Sequence, residues 1–278
     1  MRPAVLLQYV LPHRFLSRLV YWAARWTWTP WKDFLIASVI RNYAVDMTQA
    51  QETDPRKFAS FNAFFTRALK PGARCPPAHA AAIACPADGK ISQLGTIRDG
   101  RLFQAKGVDF SAAELLGDGL AAQAYANGLF ATIYLSPRDY HRVHMPLDGT
   151  LRETVHIPGR LFSVAPFTVE AVPRLFARNE RLICHFEGER GPFCVVMVGA
   201  MLVSSVETVW SGLEIPPYAS AIARKNWRDQ AIVLNRFDEM GRFNMGSTVI
   251  LLLPPGIAQW EAALTASAAV QMGQPLGQ

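Results

Sequence analysis

Glu239-Met240-Gly241-Arg242-Phe243-Asn244-Met245-Gly246-Ser247-Thr248-Val249-Ile250-Leu251-Leu252-Leu253 is a glycine-containing turn leading into a strongly apolar run. A short apolar run bounded by turn residues, here closed by Pro254 and Pro255, predicts a buried strand. Working outward, residues 90–97, 101–105, 129–135, 150–157, 181–186, 193–209 and 230–237 have the same character. They are mostly short, rich in β-branched and aromatic residues, and punctuated by Gly or Pro. Few intervals between them could hold a helix, which argues against a parallel doubly wound sheet. The expected fold is α+β, a mostly antiparallel β barrel or sandwich core with an N-terminal amphipathic helical module. Residues 111–116 predict a short helix, and the alanine-rich residues 257–271 a terminal one.

The first 45 residues are of a different kind. Tyr9, Phe15, Tyr21, Trp22, Trp26, Trp28, Trp31 and Phe34 are interleaved with Arg14, Arg18, Arg25, Lys32 and Arg41. At about 100° per residue, Arg14, Arg18 and Arg25 fall on one stripe, and Phe15, Leu19, Trp22 and Trp26 on its neighbour. Such a helix suits a membrane interface, with rings inserted and arginines reaching lipid phosphates. A helix packed on its own domain with arginines at the solvent edge is the competing reading; the density of tryptophan favours the interface. The Thr29-Pro30 step is expected to end the first helix, and Trp31, Lys32 and Asp33 to open a second running to Tyr43. Residues 1–57 are thus expected to form a membrane-associating helical module, and 58–278 a catalytic β-rich domain.

Bulk properties narrow the field without deciding it. The 278 residues suffice for one large domain or two small ones, and a half-hydrophobic, 18% charged composition is that of a globular chain. A net charge of +6 fits an anionic membrane, an anionic substrate or nucleic acid alike. Cys75, Cys85, Cys184 and Cys194 match no zinc or redox spacing, so reduced thiols and a cytoplasmic setting are expected. Met1-Arg2-Pro3-Ala4-Val5-Leu6-Leu7 resembles the start of a signal peptide, but Pro12, His13 and Arg14 follow where small residues would be needed. No apolar run reaches the length of a membrane span.

Three polar clusters interrupt the apolar pattern. Pro86-Ala87-Asp88-Gly89-Lys90 is an aspartate in a turn before a strand, which local hydrogen bonding alone would explain. Residues 134–146 carry His141 and His144 after a strand. His-x-x-His could be half of a metal site, but no third or fourth ligand follows at a familiar spacing, so no metal is expected. Two histidines in one loop would instead permit two proton-transfer tasks near neutral pH. The third cluster holds Gly246-Ser247, which an ordinary hairpin turn would also use. From the residues alone an Asp/His/Ser site remains one option among others.

Taken in order, these segments resemble the bacterial phosphatidylserine decarboxylases. The likeness runs through Phe61-Asn62-Ala63-Phe64-Phe65-Thr66-Arg67, the Asp88 turn, residues 134–146, Leu161-Phe162-Ser163-Val164, residues 175–181, Val198-Gly199-Ala200, Glu207-Thr208-Val209-Trp210 and residues 239–250. It covers most of 58–254. The resemblance implies a proenzyme cut between Gly246 and Ser247, with Asp88, His144 and Ser247 as its self-processing triad. Ser247 would become a covalent pyruvoyl group, the cofactor for removing carbon dioxide from phosphatidylserine to leave phosphatidylethanolamine. His141 is the matched proton donor for that reaction. The implied partners are phosphatidylserine, an anionic membrane surface at the cytoplasmic face, and the large and small chains of one proenzyme. Self-association as a homodimer is left open, and nucleic acid is not expected.

Two positions depart from the family pattern. Met245 stands where Leu is usual, a nearly volume-conserving change. Arg236-Phe237-Asp238-Glu239 stands where Lys-Gly-Glu-Glu is common, so a glycine is lost at 237. Two other functions compete. A serine hydrolase could use the same three residues, although Gly246-Ser247-Thr248-Val249 lacks the second glycine of a nucleophile elbow. A non-catalytic membrane-binding protein would not need the matched residues.

Overall fold

A computed structural model of the chain describes residues 3–278 except 106, 202–204, 217, 219 and 246; of Ser247 the backbone alone is described. Three helices come first: α1 (Pro3–Val10), α2 (His13–Arg25) and α3 (Thr29–Tyr43). As expected, the first long helix ends ahead of Pro30, at Arg25, and Pro30 itself belongs to the next helix. It lies in the first turn of α3, where its missing N–H costs no hydrogen bond and its fixed φ suits the helix. The short α4 (Phe61–Phe65) follows, capped by the Ser60 hydroxyl, which accepts from the Ala63 N–H.

The strand-rich region opens with β1 (Ile83–Ala84), β2 (Gly89–Thr96), β3 (Arg101–Ala105) and β4 (Val108–Ser111). Two small helices, α5 (Ala112–Leu116) and α6 (Gly119–Gln123), precede β5 (Leu129–Leu135), β6 (Arg142–His144) and β7 (Gly149–Ile157). Then come α7 (Pro166–Val169), α8 (Leu175–Arg178), β8 (Arg181–Gly188) and β9 (Gly191–Val198). The remainder is β10 (Ser205–Thr208), β11 (Gly212–Ile215), β12 (Ala223–Asn226), β13 (Val233–Leu234), β14 (Glu239–Asn244), β15 (Ser247–Leu253), β16 (Ala269–Val270) and β17 (Pro275–Gly277).

The expected α+β class with antiparallel pairing holds. The largest sheet runs β12-β7-β8-β9-β15-β5-β2-β16, with β13 also on β7, and a second runs β11-β10-β14-β6. All their pairings are antiparallel, but neither strand order returns to its start, so neither sheet is a closed barrel. The apolar run at 247–253 becomes β15, flanked by β5 and β9 in full register. It does not alternate with polar residues because both of its faces are covered. Ile250 and Leu252 join a core with Val196, Val198 and Phe130; Val249, Leu251 and Leu253 join another with Val195, Met197 and Ile133. The two-residue period of a strand thus divides one hydrophobic run between two cores.

Two expected elements are corrected. The expected strand 193–209 is two strands in different sheets, β9 and β10, with 202–204 outside the described residues. Residues 257–271 are not a helix despite their alanines. Their backbone groups are taken by neighbouring strands: Gln259 N–H donates to Gln278 O, Glu261 N–H to Leu276 O and Ser267 N–H to Ile91 O. Helix propensity is worth tenths of a kcal/mol per residue, about 0.7 at most for ordinary residues, and these tertiary hydrogen bonds override it.

The N-terminal helices carry two distinct stripes. In the arginine stripe of α2, Arg14 and Arg18 stay exposed at the edge of the protein while Arg25 is drawn inward. Arg25 donates to Ser205 Oγ at 3.1 Å, pairs with Glu207 at 3.5 Å, and lies 3.7 Å over the Tyr21 ring. Arg14 pairs with the buried Glu180 at 3.6 Å, and Arg18 lies over the Tyr218 ring. The stripe of Phe15, Leu19, Trp22 and Trp26 is exposed, Trp22 by 72%. So are Leu6, Leu7 and Val10 on α1. No helix among the described residues is long and apolar enough to cross a membrane. The inner side of this region forms a third core from Ala24, Ile36, Val45, Phe61, Phe64 and Phe65, against which Met245 packs.

Candidate active site

The chain passes between the two large sheets several times, and two of these crossings lie side by side. Strand β5 lies in the larger sheet and β6 in the smaller; β14 lies in the smaller sheet and β15 in the larger. The connections 136–141 and 245–246 therefore cross between the same two sheets. Their ends are tied together, because Leu135 pairs with Ser247 and the Phe243 N–H donates to the His141 carbonyl at 2.9 Å. The expected cleavage position sits in this crossing. Gly246 itself lies outside the described residues, but Met245 before it has φ of +93°, a conformation that costs an L-residue energy.

A local staple shapes the first connection. The Asp139 carboxylate accepts from the Ser136 N–H and hydroxyl, each at 2.7 Å. The turn this makes delivers Tyr140, His141 and His144 to the interior. His141 is fully buried. Its Nδ1 lies 2.8 Å from the Asp139 carbonyl, which can only accept, so the proton is on Nδ1. Nε2 then carries a lone pair and has no partner among the described residues. The Phe65 ring lies 4.0 Å away, centroid to centroid. Burial pushes the His141 pKa down to about 3.

His144 has the same tautomer for the same reason. Its Nδ1 donates to the Phe237 carbonyl at 2.7 Å, and its Nε2 accepts from the Tyr140 hydroxyl at 3.0 Å. Burial holds it below the ordinary histidine value. Both imidazoles are therefore neutral at pH 7, each with its lone pair on Nε2. For a proton acceptor that is the useful state. For the expected donor role of His141 it is the wrong resting state, and a proton must be acquired first.

Asp88 is buried in a turn that only glycine can follow: a Cβ at Gly89 would lie 2.2 Å from the Tyr134 carbonyl oxygen. The expected hydrogen bond from Asp88 to His144 is not made. The carboxylate is held by a two-point ion pair with Arg74 and by the Met272 N–H at 2.8 Å. The Phe237 carbonyl orients His144 instead. Asp88 remains near enough to favour the charged imidazole through space, and the Pro86 carbonyl two residues earlier accepts from the His144 N–H.

Sequence reasoning passed over four residues here. Tyr140 and Arg67 lie within the segments that carry the family likeness but have no spacing signal of their own. Arg74, far from any motif, gave none. Phe237 did give one, as the departure from glycine: it has φ of +79°, a region that glycine enters freely and phenylalanine does not. Its ring packs against Gly273, where a Cβ would come within 2.6 Å of it.

The chain matches the family model described as phosphatidylserine decarboxylase over residues 61–278, and a second model, PSD, over 3–44. It is 63% identical over 271 residues to the phosphatidylserine decarboxylase proenzyme of Xanthomonas campestris pv. campestris (strain B100), covering 97% of this chain and 96% of that one. The proenzymes of Xanthomonas axonopodis pv. citri (strain 306) and Stenotrophomonas maltophilia (strain R551-3) are 61% and 59% identical over the same shares. The chain belongs to the phosphatidylserine decarboxylase family.

Proposed function

We propose that this chain decarboxylates phosphatidylserine by way of a pyruvoyl group made from its own Ser247, with His144 as the base of processing and His141 as the proton carrier of turnover. The observation that supports this most directly is the pair of neutral, buried imidazoles on the segment tied to position 247. Backbone strain at Met245, beside the bond to be cut, supports it further.

Processing balances without any outside reagent but water. His144 Nε2 takes the Ser247 hydroxyl proton, and Oγ attacks the Gly246 carbonyl carbon. The C–N bond breaks, the amine takes the proton, and an ester joins the two parts. Loss of the Ser247 α-proton and scission of Cβ–Oγ release Gly246 as a carboxylate. The remaining enamine takes one water and gives up one ammonia, leaving pyruvoyl at the head of residues 247–278. In this scheme the Tyr140 hydroxyl occupies Nε2 until Ser247 takes its place, and Asp88 stabilises the imidazolium through space.

The surroundings fit the group. His141 Nε2 and Thr248 Oγ1 are buried polar atoms without partners among the described residues, and both lie on segments that meet at position 247. The pyruvoyl carbonyl supplies an electron sink for the bond to carbon dioxide. His141 acquires its proton once the anionic headgroup enters, since nearby negative charge favours imidazolium, and delivers it from Nε2 to the α-carbon. Residues 1–57 hold the enzyme to the membrane surface from which its substrate comes, through the exposed aliphatic side chains of α1 and the exposed rings of α2.

Intact-mass measurement tests the assignment. Purified protein should contain a fragment of 32 residues, 247–278, blocked at its N-terminus, and Ser247→Ala should remain a single chain. Cleavage that persisted in Ser247→Ala would falsify the choice of nucleophile.

A further inference from the structure

Arg67 is a buried cation without an anion of its own. It is 4% exposed, and its Nη2 donates to the Arg138 carbonyl at 2.9 Å. Its Nε and Nη1 have no partner among the described residues. A guanidinium keeps its charge when buried, and an unpaired buried charge is costly enough to need explaining. Three carboxylates lie near, and each is engaged elsewhere. Asp88 is held by Arg74; Asp139 binds Ser136 and faces Arg138 at 3.7 Å; Asp46 accepts from Thr48 and Gln49.

Arg67 lines a cavity of about 290 Å³ together with Arg74, Asp88, Arg138 and Tyr140. Ala44 and Asp46, just past α3, line it too, so it borders the region that carries the exposed rings. Arg67 is also two residues from Phe65, whose ring covers His141. An anion held by Arg67 would thus lie between the helical region and the imidazoles.

We propose that Arg67 binds the phosphodiester of the lipid headgroup, an assignment that rests on the decarboxylase function above. The headgroup offers two anions, and the chemistry separates them. The carboxylate must lose its charge as carbon dioxide departs, so a cation paired with it would stabilise the ground state more than the transition state and slow the reaction. The phosphodiester keeps its charge throughout. A guanidinium matches its geometry, and holding it fixes the serine portion without opposing decarboxylation.

The test compares wild type with Arg67→Lys and Arg67→Gln, first for cleavage into two chains, then for carbon dioxide release across a range of phosphatidylserine concentrations in mixed micelles. Loss of one charged contact to an anion should raise KM about 10- to 100-fold in the Gln variant. The Lys variant should recover part of that loss, and kcat should change little in either. A cleaved Arg67→Gln protein with unchanged KM overturns the proposal, as does a fall in kcat alone, which would place Arg67 on the carboxylate or in packing. If neither variant is cleaved, wild type decides. Glycerophosphoethanolamine, which retains the phosphodiester and lacks the carboxylate, should compete with substrate where ethanolamine at equal concentration does not. Absence of competition overturns the proposal. A wild-type protein that neither cleaves nor releases carbon dioxide instead defeats the decarboxylase function on which the proposal rests.

Discussion

His144 donates from Nδ1 to the carbonyl of Phe237 at 2.7 Å, and Phe237 presents that carbonyl from a backbone with φ of +79°. The strained residue fixes the tautomer of the imidazole. With Nδ1 committed, the lone pair must lie on Nε2, where the Tyr140 hydroxyl meets it.

Tyr140 is expected to occupy this lone pair rather than to relay protons. Burial pushes the phenol up to about 12, so it is a poor acid near neutral pH. Tyr140→Phe should therefore still yield two chains, at a rate within a few-fold of wild type by gel densitometry. His144→Ala should yield one. A Tyr140→Phe protein as uncleaved as His144→Ala would make the hydroxyl an obligatory carrier.

His141 should matter only after cleavage. His141→Ala is expected to separate into two chains and then release labelled carbon dioxide about 10²- to 10⁴-fold more slowly, the usual worth of a positioned acid. Decarboxylation at the normal rate, or failure to cleave, would remove it from this role.

The buried histidines also set a dependence of stability on acid. His141 titrates at about 3 in the folded protein and near 6.5 in an unfolded chain. Below pH 6.5 the unfolded state binds this proton and the folded state does not. Stability is thus lost as pH falls from 6.5 towards 3, and is unaffected by this group above 6.5. One such group is worth about 1.4 kcal/mol per pH unit, or about 2 kcal/mol between pH 6.5 and 5. Urea midpoints at pH 7 and pH 5 should differ less in His141→Asn than in wild type. Equal differences would mean that His141 is protonated in the fold.

Membrane attachment should depend on rings more than on charge, because Arg14 and Arg25 are engaged by Glu180 and Glu207. Phe15→Ser with Trp22→Ser should lose at least tenfold in vesicle binding, since two large side chains are worth about 3–6 kcal/mol at full burial. Arg25→Ala should lower the unfolding midpoint and leave vesicle binding largely intact. Co-sedimentation in low and high salt decides: attachment abolished by salt would return the arginines to the lipid.

The central strands were legible because a strand's period and its bounding turns are local. β5, β7, β8 and β15 lie where β-branched runs between Gly and Pro put them. The terminal helix was not legible, because what overrides alanine at 257–271 is the position of Leu276 and Gln278, known only after folding. The partners of the arginine stripe were not legible either. Periodicity identifies two faces of α2, but the carboxylates that claim one face are Glu180 and Glu207, more than 150 residues away. At the site, resemblance supplied His141, His144 and Asp88, and the structure brings all three into one region. That a carbonyl rather than Asp88 orients His144 could be learned only from the backbone of residue 237.

Every strand after the expected cut pairs with one before it: β15 with β5 and β9, β16 with β2, and β17 with β1. A segment so interleaved cannot be docked as a finished piece, because its central strand must be in place before either neighbouring core can close. Scission therefore has to follow assembly. Under the proposed processing, the bond before Ser247 is cut in a protein already at its final shape, and a 32-residue peptide supplied separately to the remainder would arrive too late to be built in.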